Sequence, residues 1–484
     1  MSLGQQLHAL EASGLIRLAQ TEPELEYLFR HTLVQEAAYG SLVKQDRRHL
    51  HRKVGETLEH LYTDQLASRE IAPLLARHFA EAGDDPRALH YFALAGDAAM
   101  RVYANAEAVL HYTHALEIAR RTPTFQQFSA EVESLRHLYL SRGESLELSA
   151  RYAEALTNYE EMAALALERD DRSLELMAVM ARAKIYATPN PVHDAEQAQT
   201  LLEQSLGLAR GLRPRGDQAA ECKVLWNLMV LLVWGGGDQR QAIRYGEQAL
   251  ALARELGLQE QLAFTLNDLT YAYMGSEQWE EARVAVDEAI ELWRSQETLP
   301  MLVDSLSNSA VLYIRSGQYD QAVATAEEAL RVSRAIGNVW GQATSRLFIG
   351  FVYLERGELT RAIEIMQEAI RLGEQVGHAT GFTVTRADLG WAYATHGMLE
   401  HGLEMVQQAH ARAAGEKLSL LRAASPIVLG RLLILKGDLA GAEAALQEGR
   451  RELKEGLAWL LPILLPLGEG ELALAQRDAP RVLA

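Results

Sequence analysis

The 484-residue chain has a single cysteine, Cys222, which excludes an internal disulfide and points to a reducing, cytoplasmic compartment. Prolines number only 12, so helices run with few interruptions. Basic charge is in deficit: 47 Lys and Arg face 65 Asp and Glu, a formal net charge of −18. Phosphate recognition needs a basic face, so nucleic acid is excluded as the main partner, and plain solubility accounts for the acidity. Long apolar runs are absent as well. The most apolar stretch, residues 457–467, is broken by two prolines and is shorter than the roughly 20 residues a bilayer span needs. The start, Met1-Ser2-Leu3-Gly4-Gln5-Gln6, carries no signal-peptide pattern. Neither a Gly-x-x-x-x-Gly-Lys-Ser/Thr loop, a Gly-x-Ser-x-Gly elbow nor a His-Glu-x-x-His motif occurs. No enzyme activity, cofactor, membrane association or ATP binding is therefore expected of this chain.

What is present is a cadence. Gly317, Gly357, Gly397 and Gly437 recur every 40 residues. In step come Tyr273, Tyr313, Tyr353 and Tyr393, then Trp279, Tyr319, Leu359, Leu399 and Leu439. A third series is Ala242, Ala282, Ala322, Ala362, Gly402 and Ala442. Such a period means stacked units, each burying its apolar face on its neighbours. Within residues 299–337, Leu302, Leu306, Ala310 and Tyr313 mark a first amphipathic helix that Gly317 ends, and Ala322, Ala326, Ala329 and Leu330 mark a second. The expected fold is all-α: a right-handed solenoid of helix pairs. Ala195–Arg210 and the starts at Asn105 and Arg151 read as earlier, irregular second helices. The expected division is residues 1–62, 63–216 (irregular repeats) and 217–484 (regular repeats), about nine pairs in all.

Ala310, Tyr313, Gly317, Tyr319 and Ala322 together resemble the tetratricopeptide repeat (TPR), whose standard length is 34 residues. Six extra residues are expected to lengthen the helices and the loop between repeats. In TPR arrays the first helices build the concave wall. The resemblance thus implies a ligand face at Asn227, Trp234, Asn267, Tyr271, Asp304, Ser307, Arg315, Thr344, Phe351, Trp391 and Arg431. Aromatic rings among polar groups suit an extended peptide, a protein or a small-molecule inducer. Trp234 and Phe351 alternatively pack between first helices. The Lys/Asn/Arg carboxylate clamp of chaperone-binding TPRs is missing.

Residues 25–39 (Leu-Glu-Tyr-Leu-Phe-Arg-His-Thr-Leu-Val-Gln-Glu-Ala-Ala-Tyr) and Arg47-Arg48-His49-Leu50-His51 resemble the end of the winged-helix module in STAND-type signalling ATPases, which include MalT-like regulators and ATPases fused to bacterial adenylate cyclases. In that family a histidine of a Met-His-Asp motif contacts the nucleotide phosphate. By position this is His31, flanked here by Arg30 and Thr32; capping or packing in the helix is the alternative role. The resemblance implies the sensor arm of a larger signal-transduction ATPase whose core lies upstream; the alternative is a free-standing TPR adaptor for protein–protein interaction. The last period breaks off where a further second helix is due, so self-association through the C-terminal end is expected, with Trp459, Leu460, Ile463 and Leu464 exposed on an unpaired helix. Ten of the 15 histidines precede residue 138, yet none has ligand spacing, and they read as solvated or packed. Cys222 reads as a buried structural thiol.

Overall fold

The computed structural model describes residues 3–20, 26–102, 104–121, 129–188, 190–212, 216–235, 237–375, 383–413, 419–453 and 464–477. These fall into two compact units, Met1–Arg169 and Asp170–Ala484. The architecture is an all-α solenoid with little strand content, 23 α-helices among the described residues packing as consecutive pairs.

The first unit begins with α1 (Leu3–Ala12), a hairpin of β1 (Ile16–Gln20) and β2 (Glu26–Phe29), α2 (Thr32–Ser41) and α3 (Lys44–Leu61). The hairpin is antiparallel, with Ile16 opposite Phe29 and Leu18 opposite Tyr27. It adds strands to a segment expected to be helical, because Ile16/Leu18 and Tyr27/Phe29 alternate at the two-residue period of a strand. Then follow α4 (Ile71–Ala82), α5 (Asp85–Met100), α6 (Asn105–Arg121), α7 (Ser129–Leu148) and α8 (Tyr152–Glu168), each packed on the next. Leu75, Phe79, Tyr112, Leu116 and Leu138 are fully buried there. Tyr112 lies so close to Gly96 that a Cβ at that position would overlap its ring.

The second unit holds α9 (Arg172–Ala187), α10 (Ala195–Gly211), α11 (Gln218–Gly235), α12 (Gln239–Glu255), α13 (Gln259–Gly275), α14 (Trp279–Ser295), α15 (Leu299–Arg315) and α16 (Tyr319–Ala335). It continues through α17 (Val339–Glu355), α18 (Leu359–Gln375), α19 (Thr383–Thr395), α20 (Leu399–Ala413), α21 (Ser419–Lys436), α22 (Leu439–Glu452) and α23 (Leu464–Ala475). Trp279, Tyr319, Leu359, Leu399 and Leu439 are each the first residue of an even-numbered helix. Ala242, Ala282, Ala362 and Ala442 have no exposed surface, as close helix–helix approach requires.

From α12 to α18 both connections are three residues long, as at Ser316–Gln318 and Ile336–Asn338. There the six residues beyond the standard repeat lengthen the helices and not the loop between repeats; the loops at 376–382 and 414–418 lie outside the described residues. Both turns also share one closure. Gly317 takes φ +71°, the Gln318 N–H donates to the Tyr313 carbonyl at 2.8 Å, and Gly337 repeats this at φ +69° with Asn338 and Ser333 at 2.9 Å. The left-handed residue recurs every 20 positions at Gly257, Glu277, Glu297, Gly317, Gly337 and Gly357. Two glutamates occupy a conformation that favours glycine.

Candidate ligand-binding face

Each odd-numbered helix from α11 to α21 packs on its even-numbered partner and also touches the next odd-numbered helix. The odd helices thus form one layer, and residues 40 apart fall at equivalent positions on neighbouring helices. One register carries Thr265, Ser305, Ser345, Thr385 and Ser425, all fully buried, where small side chains let successive odd helices approach. Another carries Asp268, Asn308, Phe348, Asp388 and Val428, and a third carries Tyr271, Val311, Phe351, Trp391, Arg431 and Glu471.

A polar network joins α11, α13 and α15 through Asn267. The Asn267 amide donates to Asp304 Oδ2 at 2.9 Å, and its oxygen accepts from Ser305 Oγ at 2.6 Å and Asn308 Nδ2 at 2.8 Å. The Tyr271 hydroxyl donates to Asn308 Oδ1 at 2.6 Å, and Trp226 Nε1 donates to Asp268 Oδ2 at 2.8 Å. The half-exposed Trp234 ring leans on Tyr271 with centroids 4.9 Å apart. Burial pushes the Asp268 carboxyl up to about 7; the Trp226 N–H opposes that rise and the Asp304 carboxylate adds to it. Asp304 is raised by burial too, against the pull of the Asn267 amide. Burial and the same two carboxylates hold the Tyr271 hydroxyl protonated. Near neutral pH Asp268 is therefore poised between its protonated and ionised forms.

A second cluster lies on α17 to α23. Burial, with the Glu355 carboxylate, pushes Asp388 up to about 7. The Arg431 guanidinium stacks 3.9 Å from the Trp391 ring centre and makes two bonds of 2.9 Å to Glu471.

Of the residues expected on this face, Asn267, Tyr271 and Asp304 share the first network, with Trp234 at its edge. Trp391 and Arg431 meet in the second. Phe351 is half-buried against the core of Met366, Leu389 and Tyr393, so it packs between repeats. Ser307, 2% exposed, donates to the Val303 carbonyl of its own helix, and Asn227 likewise donates to Lys223. Thr344 and Arg315 are half-buried, and burial lowers the Arg315 pKa. Trp226, Asp268, Asn308 and Asp388 were missed. The available signal was Asp268 and Asp388 standing three periods apart in one register of otherwise apolar helices.

In the first unit His31 is exposed before α2, at φ −134° and ψ 132°, and makes no side-chain capping bond. His51 Nδ1 lies 3.0 Å from His78 Nδ1, with the Tyr39 hydroxyl 3.0 Å from His51 Nε2. His111 is buried against Phe92. Among the described residues no group of three or more His, Cys, Asp or Glu is placed to hold a metal ion. Also among them, no helix is long and apolar enough to cross a membrane. Cys222 is buried, its thiol donating to the Ala249 carbonyl at 3.2 Å and pushed up to about 11 by that burial. Leu464 opens α23 and is partly buried, whereas Trp459, Leu460 and Ile463 lie outside the described residues.

Profiles of the tetratricopeptide repeat match residues 261–335 and 342–376. These segments are tetratricopeptide repeats. No curated protein matches the chain. Among solved structures, a Rap protein complexed with competence and sporulation factor superposes with a TM-score of 0.54 at 12% identity, over 77% of this chain and 99% of that one. The apo form of the quorum sensor NprR from B. thuringiensis gives 0.51 at 14% identity, over 78% and 98%. A STAND protein with a TPR sensor, PH0952 from Pyrococcus horikoshii, gives 0.43 at 16% identity, over 96% of this chain and 60% of that one. At these identities the likeness is one of fold, and the last overlap is too low to support more. The TPR architecture makes the chain a scaffold for protein or peptide interaction.

Proposed function

We propose that this chain is the sensor and scaffold arm of a STAND-type signal-transduction ATPase, non-catalytic itself, which binds a peptide, protein or small-molecule inducer on the odd-helix TPR face. The observation that carries the ligand reading is the network centred on Asn267. It commits aromatic rings and two carboxylates to the layer of first helices, where an array stabilised by packing alone needs none. The Rap protein complexed with competence and sporulation factor is a precedent for ligand capture by an array of this fold. Inducer binding would bias the ATPase between two states to the extent that it prefers one of them.

The STAND reading draws on the winged-helix resemblance of residues 25–51 and on apolar side chains left uncovered in the same segment. Leu33 is 78% exposed and Val43 63%, with Leu50, Val54 and Leu61 also exposed along α3, and α2 buries no residue at all. Exposed apolar side chains of this kind call for a covering partner, and in this reading an upstream ATPase core fills that role. The test is thermal denaturation against panels of metabolites and peptides, repeated on Trp234→Ala. A ligand that raises the melting temperature in the parent chain and fails to do so in the variant supports the site. Reading the gene ahead of the Met1 codon tests the linkage: a Walker A strand–loop–helix supports it, and a natural start at Met1 with no such loop upstream refutes it.

A further inference from the structure

We infer that the odd-helix face around α13 and α15 docks an extended cationic peptide, a Lys or Arg side chain of which seats between Asp268 and Asp304, the two carboxylates that share the Asn267 amide; this rests on reading that face as the ligand site. Among the described residues α13 and α15 pack on their neighbouring helices and nothing further covers this face; its charge specifies what does. On α19 and α21 the arginines are matched: Arg386 Nη2 lies 2.5 Å from Glu374, Arg422 Nε 2.5 Å from Glu452, and Arg431 is held by Glu471. Asp268 and Asp304 are different. Their partners are the Trp226 and Asn267 N–H groups, and among the described residues neither carboxylate forms an ion pair with a Lys or Arg.

Adjacent half-buried carboxylates without a counterion repel each other and carry a desolvation cost. A ligand cation removes both penalties on arrival. The ring beside them, Trp234 leaning on Tyr271, suits the same class of ligand, since cations and apolar stems both pack on aromatic faces. Asp268 and Asp388 share one register three repeats apart, with Asn308 and Phe348 between them. An occupant lying along this register needs its cationic group at the Asp268 end. The net charge of −18 steers such a peptide inward, whereas an acidic peptide would bring like charge to this seat.

The test is selection from an immobilised library of random dodecapeptides by the parent chain, by Asp268→Asn/Asp304→Asn and by Trp234→Ala. The expected pool is several-fold enriched in Lys and Arg, the enrichment falls to background in the double variant, and recovery drops in Trp234→Ala. A selected peptide should release about half a proton on binding at pH 7, as a cation ionises an Asp268 that is half protonated there, and the release should vanish in Asp268→Asn. A pool without basic enrichment that still depends on Trp234 overturns the cation and leaves the face as the ligand site. A pool indifferent to Trp234→Ala, or no recovery at all, overturns both.

Discussion

Replacing Asp268 by Asn should make the protein more stable above pH 7 and flatten its dependence on pH. In the unfolded chain this carboxyl titrates near 3.8, and in the fold near about 7. Between those values the native state binds one more proton than the unfolded state, so the stability it contributes is complete below 3.8 and is lost as pH rises through 7. From pH 5 to pH 8, about two pH units of that span apply, a ceiling of ~2.7 kcal/mol at about 1.4 kcal/mol each. Partial solvent exposure of Asp268 and its coupling to Asp304 reduce this to on the order of 1–2 kcal/mol. The amide keeps an oxygen for the Trp226 N–H, so packing around the indole survives. Urea unfolding followed by circular dichroism at pH 5 and pH 8, at matched ionic strength, measures the effect. Other titrating groups are common to both proteins and cancel. Wild type should lose ~1–2 kcal/mol more than Asp268→Asn over this interval. Equal losses, within about 0.5 kcal/mol, would refute the account of an uncompensated buried carboxyl.

Two further outcomes concern the scaffold. Glu297→Gly should stabilise by roughly 0.5–1 kcal/mol, seen as a higher urea midpoint, because Glu297 sits at φ +54° where a side chain is disfavoured. Gly96→Ala should cost about 2–3 kcal/mol by overpacking, measured the same way: the new methyl overlaps the ring of fully buried Tyr112, which a 2.7 Å bond to Asp97 holds in place.

The regular helices were legible because their packing demands repeat in the sequence: a small residue where helices cross, a large one opening each second helix, glycine at the turn. Even the irregular starts near Asn105, Arg151 and Ala195 agree with α6, α8 and α10 to within a residue. The twenty-residue recurrence of left-handed turns was hidden because Glu277 and Glu297 break the glycine series. The hairpin at residues 16–29 was hidden because each strand is too short for its alternation to stand out. The candidate site was legible only by column. Ser307 was expected to face a ligand, yet Ser305 and Asn308 carry the network; a step of two residues turns a helical side chain by about 200°, which separates a ligand face from a helix contact. Asp268 escaped notice because one carboxylate among Leu266, Leu269 and Tyr273 acquires meaning only beside Asp304 on the next odd helix.

Because residues 40 apart stand side by side on the odd helices, architecture and recognition occupy separate columns of the same text. The hydroxyl column at 265 to 425 and the small-residue column at 242 to 442 are buried and fix the spacing of the helices. The columns through Asp268 and Tyr271 vary freely, from Asp to Phe to Val and from Tyr to Trp to Arg to Glu. A new specificity can therefore arise by editing one letter in a recognition column, or by duplicating a whole forty-residue line, without rewriting the spelling of the fold.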